Sequence, residues 1–445
     1  MRLDNPVASV PPNGGEQVFE VLSEAIRSGV GAIPDVAALA RTTRADATEL
    51  QAIFQHHAHL TPEAFLERER VRWAGRALRV TRDSEQDIAA ASGYVSYAAF
   101  LGHFEEVNRL APGAYRSIGE ADHFVLSLPP GYIARAALDH AAMDPGALGE
   151  RVKFDQAHIW KAIAFEADVF TLDITFLVGQ AVCQIHSSTL LSPGARYFAH
   201  QVALKMLGLN SSAWRDFTAL RSSQETVAAL MGDRAGLYLP QTATAFEALV
   251  WGVVGQQISI NFAAELRAVL VRAGGRTAPL GLIAHATPDD VAKLDEADLI
   301  EHRFSRAKAS YMLGAARAIA AGDLQIEQLS SRSAEAAQRE LLHLRGIGPW
   351  TARYTLMRGA GFADFAPIGD SGLAAGLQQL FKLPSRPTPG EAERLMLEFS
   401  PHRSIATAHL WALIHSAAAE KRNAKTEFIA AQRPSRRLSV AKRVG

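Results

Sequence analysis

In the stretch LHLRGIGPWTARYTLMRGAGFADFAPIGDSGL, Leu342 to Leu373, Trp350 and Tyr354 stand four residues apart and Asp370 follows Trp350 by twenty. Residues four apart share one face of a helix, so the indole and the phenol form a single aromatic surface. Such a surface attracts a flat cation with about 0.5–2 kcal/mol per contact. Asp370 sits between Gly369 and Ser371 at a predicted helix start. An aspartate there has two readings: an N-cap, or a carboxylate that stabilises developing positive charge. The two are compatible, and a helix N-terminus favours the ionised form. Upstream, Gly346 and Gly348 bracket an isoleucine between two helices. Their missing side chains permit a tight hairpin and let backbone amides approach a phosphate.

Other elements must position these groups. At 445 residues the chain is expected to form two to four domains. Hydrophobic residues make up 48% and charged residues 21%, a globular rather than a disordered composition. No run of eighteen apolar residues occurs, so no membrane span is expected. MRLDNPVASVPPNGGE at the N-terminus lacks the apolar block of a secretory signal, and a cytoplasmic location is expected. Cys183 is the one cysteine, which excludes disulfides, a cysteine zinc site and an iron–sulfur cluster. In AVCQIHS it reads as a small buried residue of a strand. QHHAHL (His56, His57, His59) is the one histidine cluster and reads as the polar side of a helix end.

Residues 1–19 read as a flexible lead. From 20 to 118 the pattern is helical and repeats: short helix, turn, second helix, then the same again around Gly93. Residues 122–206 alternate apolar and polar positions and are rich in β-branched residues, which predicts a small α+β domain with an antiparallel sheet and no titratable cluster. From 207 to 420 the pattern is helical again, with TAFEALVWGVVGQQIS giving a core helix that breaks near Gln256 and Gln257. Residues 421–445 hold eight Lys or Arg and one Glu and read as a basic flexible tail. The net charge is zero.

Two resemblances follow from these motifs. The repeat, ASGYVSYAAFLGHF and LAPGAYR resemble the AraC-type DNA-binding domain. That implies a tandem helix-turn-helix whose second helices, about Arg44–His57 and Ser96–Val107, would enter the major groove. Both are poor in cations, and Glu105 and Glu106 oppose phosphate. GIGPWTARY, the interval to Asp370, LPQTATAFEALVWGVVGQQIS and HRSIATAHLW resemble the HhH-GPD superfamily, and within it the AlkA-type 3-methyladenine-DNA glycosylase II. The whole layout is similar to Ada–AlkA fusions without the cysteine-rich methyl-acceptor module. The implied fold is multidomain and mostly α, with tandem helix-turn-helix, small α+β and helical glycosylase domains.

The resemblance implies damaged double-stranded DNA as partner and 3-methyladenine and 7-methylguanine as excised bases. The nucleotide would be flipped from the duplex. Asp370 would be the catalytic carboxylate, and Trp350, Tyr354, Trp411 and Gln256 would line the base pocket. Gly346 and Gly348 would grip the DNA backbone, and Gln257 would fill the gap left by the flipped base. Gln256 and Gln257 have a second reading as caps of the helix break. No cofactor is required; the carbonyls of Leu342, Leu344 and Gly346 would hold a monovalent cation. Strand-cleaving relatives carry a Schiff-base lysine where Trp350 stands, so a monofunctional, monomeric enzyme is expected. Two other readings are a transcriptional regulator on a non-catalytic glycosylase scaffold and a glycosylase for oxidised or deaminated bases.

Overall fold

The computed structural model describes residues 15–28, 33–43, 45–211 and 213–414. The basic tail therefore lies outside the described residues. Seven helices come first: α1 (Gly15–Ser28), α2 (Val36–Thr43), α3 (Ala47–Ala58), α4 (Pro62–Val80), α5 (Glu85–Ala91), α6 (Tyr97–Asn108) and α7 (Pro112–Ser117). The flexible lead expected over 1–19 is corrected at 15–19, which lie in α1, because Val18, Phe19, Leu22 and Ile26 recur at helical spacing and are buried; its remainder, 1–14, lies outside the described residues. Phe19 meets Phe54 and Phe65 edge-on, with centroids 5.5 and 5.6 Å apart. Asp46, Thr61, Ser84 and Ser96 each cap a helix by accepting the backbone N–H three residues on. Gly93 turns the second unit at φ +91°, where a Cβ would lie 2.9 Å from the Ile33 carbonyl oxygen.

Next comes a five-stranded antiparallel sheet, with α8 (Arg135–Ala141) between its first two strands: β1 (His123–Ser127), β2 (Glu150–Lys153), β3 (His158–Phe165), β4 (Asp168–Leu177) and β5 (Gln180–His186), in the order β1-β5-β4-β3-β2. Helix α9 (Pro193–Met206) packs on it. Cys183 is fully buried in β5, and that burial pushes its thiol pKa up. The second helix-turn-helix unit and the sheet share one hydrophobic core. Tyr115 meets Tyr197 at 5.2 Å, and His200 Nε2 bonds the Asn108 carbonyl at 2.8 Å.

The remaining helices are α10 (Ala213–Ala219), α11 (Glu225–Met231), α12 (Ala245–Val254), α13 (Ile260–Gly274), α14 (Pro288–Ala292), α15 (Glu296–Glu301), α16 (Arg306–Ala320), α17 (Ala334–Leu342), α18 (Pro349–Thr355), α19 (Ser371–Leu380), α20 (Pro389–Met396) and a last helix over 403–414. Every residue of α12 is buried. A two-stranded ribbon, β6 (Thr277–Ala278) and β7 (Leu282–Ile283), folds back onto β3 and β4. Between sheet and helices lies a buried ion cluster. Lys161 Nζ reaches Glu150 at 2.6 Å and Glu247 at 2.8 Å, and Arg267 bonds Glu150 at 2.9 Å. Among the described residues no helix is long and apolar enough to cross a membrane.

Removing one member of a buried ion cluster strands its partners, at a cost of about 3–5 kcal/mol. Lys161→Met should therefore lower the unfolding free energy by roughly that amount, read from the denaturant midpoint. Acid should act on the whole fold. Burial holds His59, His200 and His285 down to about 4 and His409 to about 3. In the unfolded chain histidine titrates near about 6.5. Protonation thus favours unfolding, and stability that is complete above about pH 6.5 is lost as pH falls toward 4. Calorimetry should show the melting temperature dropping across that window; a flat profile would contradict it.

Candidate active site

Helices α17 and α18 are joined by the Gly346–Gly348 hairpin. Gly346 has φ +84°, and a Cβ there would lie 2.1 Å from the Tyr311 ring of α16. Only glycine allows the turn to rest on that ring. Gly348 is the N-cap of α18, which has Pro349 in its first turn and no side-chain cap. A Cβ at Gly348 would meet nothing within 4 Å. The start of α18 thus carries no side-chain cap, and Pro349 leaves one fewer N–H there to satisfy.

The break after α12 is tied to the hairpin. Gln256 Nε2 donates to the Gly346 carbonyl and to Thr351 Oγ1, both at 3.0 Å. Its amide is therefore committed to holding the helix break against α18. Gln257 is exposed at φ +56°, displayed on the surface beside it. Lys308 Nζ donates to the last carbonyl of α12, Val254, at 2.6 Å. Helices α12 and α18 approach closely at Gly252, where a Cβ would meet Thr351 Cγ2 at 2.8 Å.

Asp370 is the N-cap of α19: its Oδ1 accepts from the Leu373 N–H at 2.8 Å. The same oxygen accepts from Trp411 Nε1 at 2.9 Å. Gly372 makes room for that indole, since a Cβ there would meet Trp411 Cδ1 at 3.0 Å. Trp350 and Tyr354 stack at 5.5 Å and 17°. Tyr354 is buried, and desolvation raises its phenol pKa. A single π-helical turn, Leu356–Ala360, continues α18 and carries a residue that sequence reasoning missed. The Arg358 guanidinium lies 4.9 Å from the centre of the Trp411 ring. Burial lowers its pKa, opposed by the charges of Tyr354 and Asp370. The site thus joins two aromatic surfaces, one fixed carboxylate and one buried cation. Leu342 and Leu344 lie at the hairpin: Leu342 is half-exposed, and the Leu344 carbonyl accepts the Ile347 N–H at 3.1 Å.

One histidine group does more than its sequence reading gave it, and a second escaped that reading. QHHAHL is not merely the polar side of a helix end. His57 Nδ1 and His56 Nε2 reach the two oxygens of Glu335 in α17, at 2.8 and 3.0 Å. Among the described residues these three form the one group whose ligand atoms lie close enough for a metal ion. In the sheet, where no titratable cluster was expected, Asp173 accepts from His158, His186 and Trp160. Adjacent strands bring them together, which single-strand patterning does not reveal. A cavity of about 880 Å³ at the meeting of the three domains touches none of Trp350, Tyr354, Asp370 or Trp411. It is an interdomain crevice, separate from the site.

A helix-hairpin-helix, a helix start without a side-chain cap and a capping aspartate under an indole make up the core of the site. The chain carries an HhH-GPD domain and a helix-turn-helix domain. Residues 250–402 match the family described as HhH-GPD superfamily base excision DNA repair protein, and residues 39–118 match a helix-turn-helix domain. A DNA-3-methyladenine glycosylase of Bacillus subtilis is 36% identical over 173 residues, covering 38% of this chain and 57% of that protein. DNA-3-methyladenine glycosylase 2 of Escherichia coli is 32% identical over 181 residues, covering 40% and 61%. The chain thus spans about three fifths of the length of these relatives. The solved 3-methyladenine DNA-glycosylase of Archaeoglobus fulgidus shares the fold, with TM-score 0.57 at 17% identity, over 65% of this chain and 97% of that one.

Gly346→Ala places a methyl group against Tyr311 at a positive φ and should cost more than about 1 kcal/mol. A denaturant midpoint within error of wild type would contradict that reading of the hairpin.

Proposed function

We propose that the protein is a base-excision repair glycosylase that removes alkylated purines such as 3-methyladenine and 7-methylguanine from double-stranded DNA. The observation that carries this reading is the state of Asp370. Both of its hydrogen bonds fall on Oδ1, and none among the described residues falls on Oδ2. The carboxylate is held rigidly with one oxygen free to face a reacting sugar.

An alkylated purine is cationic and already a good leaving group. When it has been flipped out, the stacked pair Trp350–Tyr354 and the Trp411 ring offer it π faces. The bond between the sugar C1′ and the base nitrogen then breaks, and its electron pair leaves with the base. Positive charge develops on the sugar, where Asp370 stabilises it in a partly buried setting. Water adds to C1′ and loses a proton, leaving an abasic site. The position at which strand-cleaving relatives carry their lysine holds Trp350, whose indole cannot form a Schiff base, and this supports a monofunctional reaction. The uncapped start of α18 would hold a phosphate, and Gln257 would occupy the vacated stack.

A monovalent cation at the hairpin remains part of the proposal. The Gly346 carbonyl accepts from Gln256 and that of Leu344 from Ile347. Each keeps a second lone pair, and with the Leu342 carbonyl they would hold a monovalent cation, which would supply positive charge toward a DNA phosphate. The protein is proposed to act as a monomer in the cytoplasm.

Release of 7-methylguanine from methylated duplex DNA tests the assignment. Asp370→Asn should slow release by about 10²–10³-fold, the typical loss for one preorganised electrostatic group, while DNA affinity changes little. Undiminished release by the variant would remove Asp370 from the mechanism, and no release by the wild type would remove the activity.

A further inference from the structure

The N-terminal helices are docked on the glycosylase by the very helices that the tandem helix-turn-helix layout would send to DNA. Helix α3 ends at His59, in the left-handed region at φ +58° and buried. Its imidazole lies between Phe362 and Phe365, with centroids 5.6 and 5.1 Å away. Nδ1 of His59 accepts the Asp364 backbone N–H at 3.2 Å. Burial lowers the His59 pKa to about 4, so at neutral pH the ring is uncharged and Nδ1 is an acceptor. Those three residues belong to the short loop that leads into Asp370.

The same loop is held from the other side. Arg403 grips the Asp364 carboxylate at 2.8 and 2.9 Å, and Ser404 Oγ accepts the Phe365 N–H at 3.0 Å. The N-cap lies only six positions after Asp364, in a stretch closed by an Asp370 N–H to Pro367 carbonyl bond of 3.0 Å. Asp364 and the Asp370 carboxylate are thus joined by a short, turn-closed stretch of chain. Elsewhere the docking grips α17, the first helix of the hairpin unit. Glu335 is bound by His56 and His57, and Arg339 Nη1 donates to Glu16 at 3.0 Å. Helix α6 is engaged likewise, with Glu106 paired to Arg215 at 2.5 Å. Glu106, one of the carboxylates that make α6 a poor reader of phosphate, thus has a partner within the chain.

We propose, resting on the glycosylase reading above, that the N-terminal domain braces the glycosylase in cis and that His59 is a positioning residue for the loop bearing Asp370. Its test uses the full chain with His59→Gly and His59→Asn. Glycine removes ring and acceptor without strain at a positive φ, and asparagine tolerates that φ while still offering an acceptor. Single-turnover release of 7-methylguanine, DNA affinity and amide exchange over 361–370 are measured together. The brace predicts release slowed at least tenfold in His59→Gly, affinity within threefold, and faster exchange at the Asp364 amide. His59→Asn should recover most of the rate.

Wild-type release and wild-type exchange in His59→Gly would overturn the proposal. So would equal slowing in both variants with an equal drop in melting temperature, since that reports lost stability rather than lost position. If His59→Gly does not melt cooperatively, Glu16→Ala/Glu335→Gln loosens the docking without touching the loop. Slowed release there supports the brace, and unchanged release overturns it. A wild type that releases no base defeats the glycosylase reading alone, because amide exchange still reports whether His59 holds the loop.

Discussion

Helix α12 has no face toward solvent, and much of the molecule follows from that constraint. A helix buried along its whole length cannot leave its terminal amides and carbonyls to water, so each end needs partners from elsewhere. At the start, Glu327 accepts the N–H groups of Ala245 and Phe246 at 2.9 and 3.1 Å, and Thr244 caps the turn. At the end, Lys308 donates to the Val254 carbonyl. Glu247 sits within this apolar helix and is answered by Lys161 of the sheet. Sheet, α16 and the 3₁₀ turn over Ile326–Ser331 are thereby drawn onto one axis.

The site lies where that axis ends. Gln256, the second residue past α12, ties the helix break to the Gly346 carbonyl, so the hairpin inherits the position of the buried helix. Helix α18 packs along α12 at Gly252 and carries Trp350 and Tyr354 on one side and Arg358 in its π-helical continuation. Asp370 comes from a separate stretch and is joined to this frame through Trp411. The carboxylate and the aromatic surface are therefore positioned by different segments, and the loop before Asp370 is the part most in need of outside support.

What the sequence disclosed is local. The hairpin glycines, the four-residue aromatic spacing and the aspartate at a helix start are patterns within a few residues, and the structure realises each as helix, turn or cap. The α3 and α6 helices likewise follow from capping residues and apolar spacing. Strand β2 was not legible: ERVK is four polar or half-buried residues at a sheet edge, where the pattern does not separate strand from loop. Arg358 on the Trp411 ring, Tyr311 under Gly346 and His59 against the loop before Asp370 were also not legible. Each depends on residues far apart in the chain meeting in space, and His59 is 305 positions from its hydrogen-bond partner. Gln256 shows the limit from another side. Its two readings, pocket wall and helix-break cap, differ only in which way an amide turns.

One modest feature takes on meaning beside the proposed activity. The whole chain has a single thiol, Cys183, sealed in β5 with its ionisation suppressed by burial. Thiolates, rather than thiols, are the groups that electrophiles attack. Methylating agents that damage DNA would find no thiolate on this protein; the sulfur left to them is that of its seven methionine thioethers. A single sealed thiol withholds from such reagents the most reactive sulfur that a protein can offer.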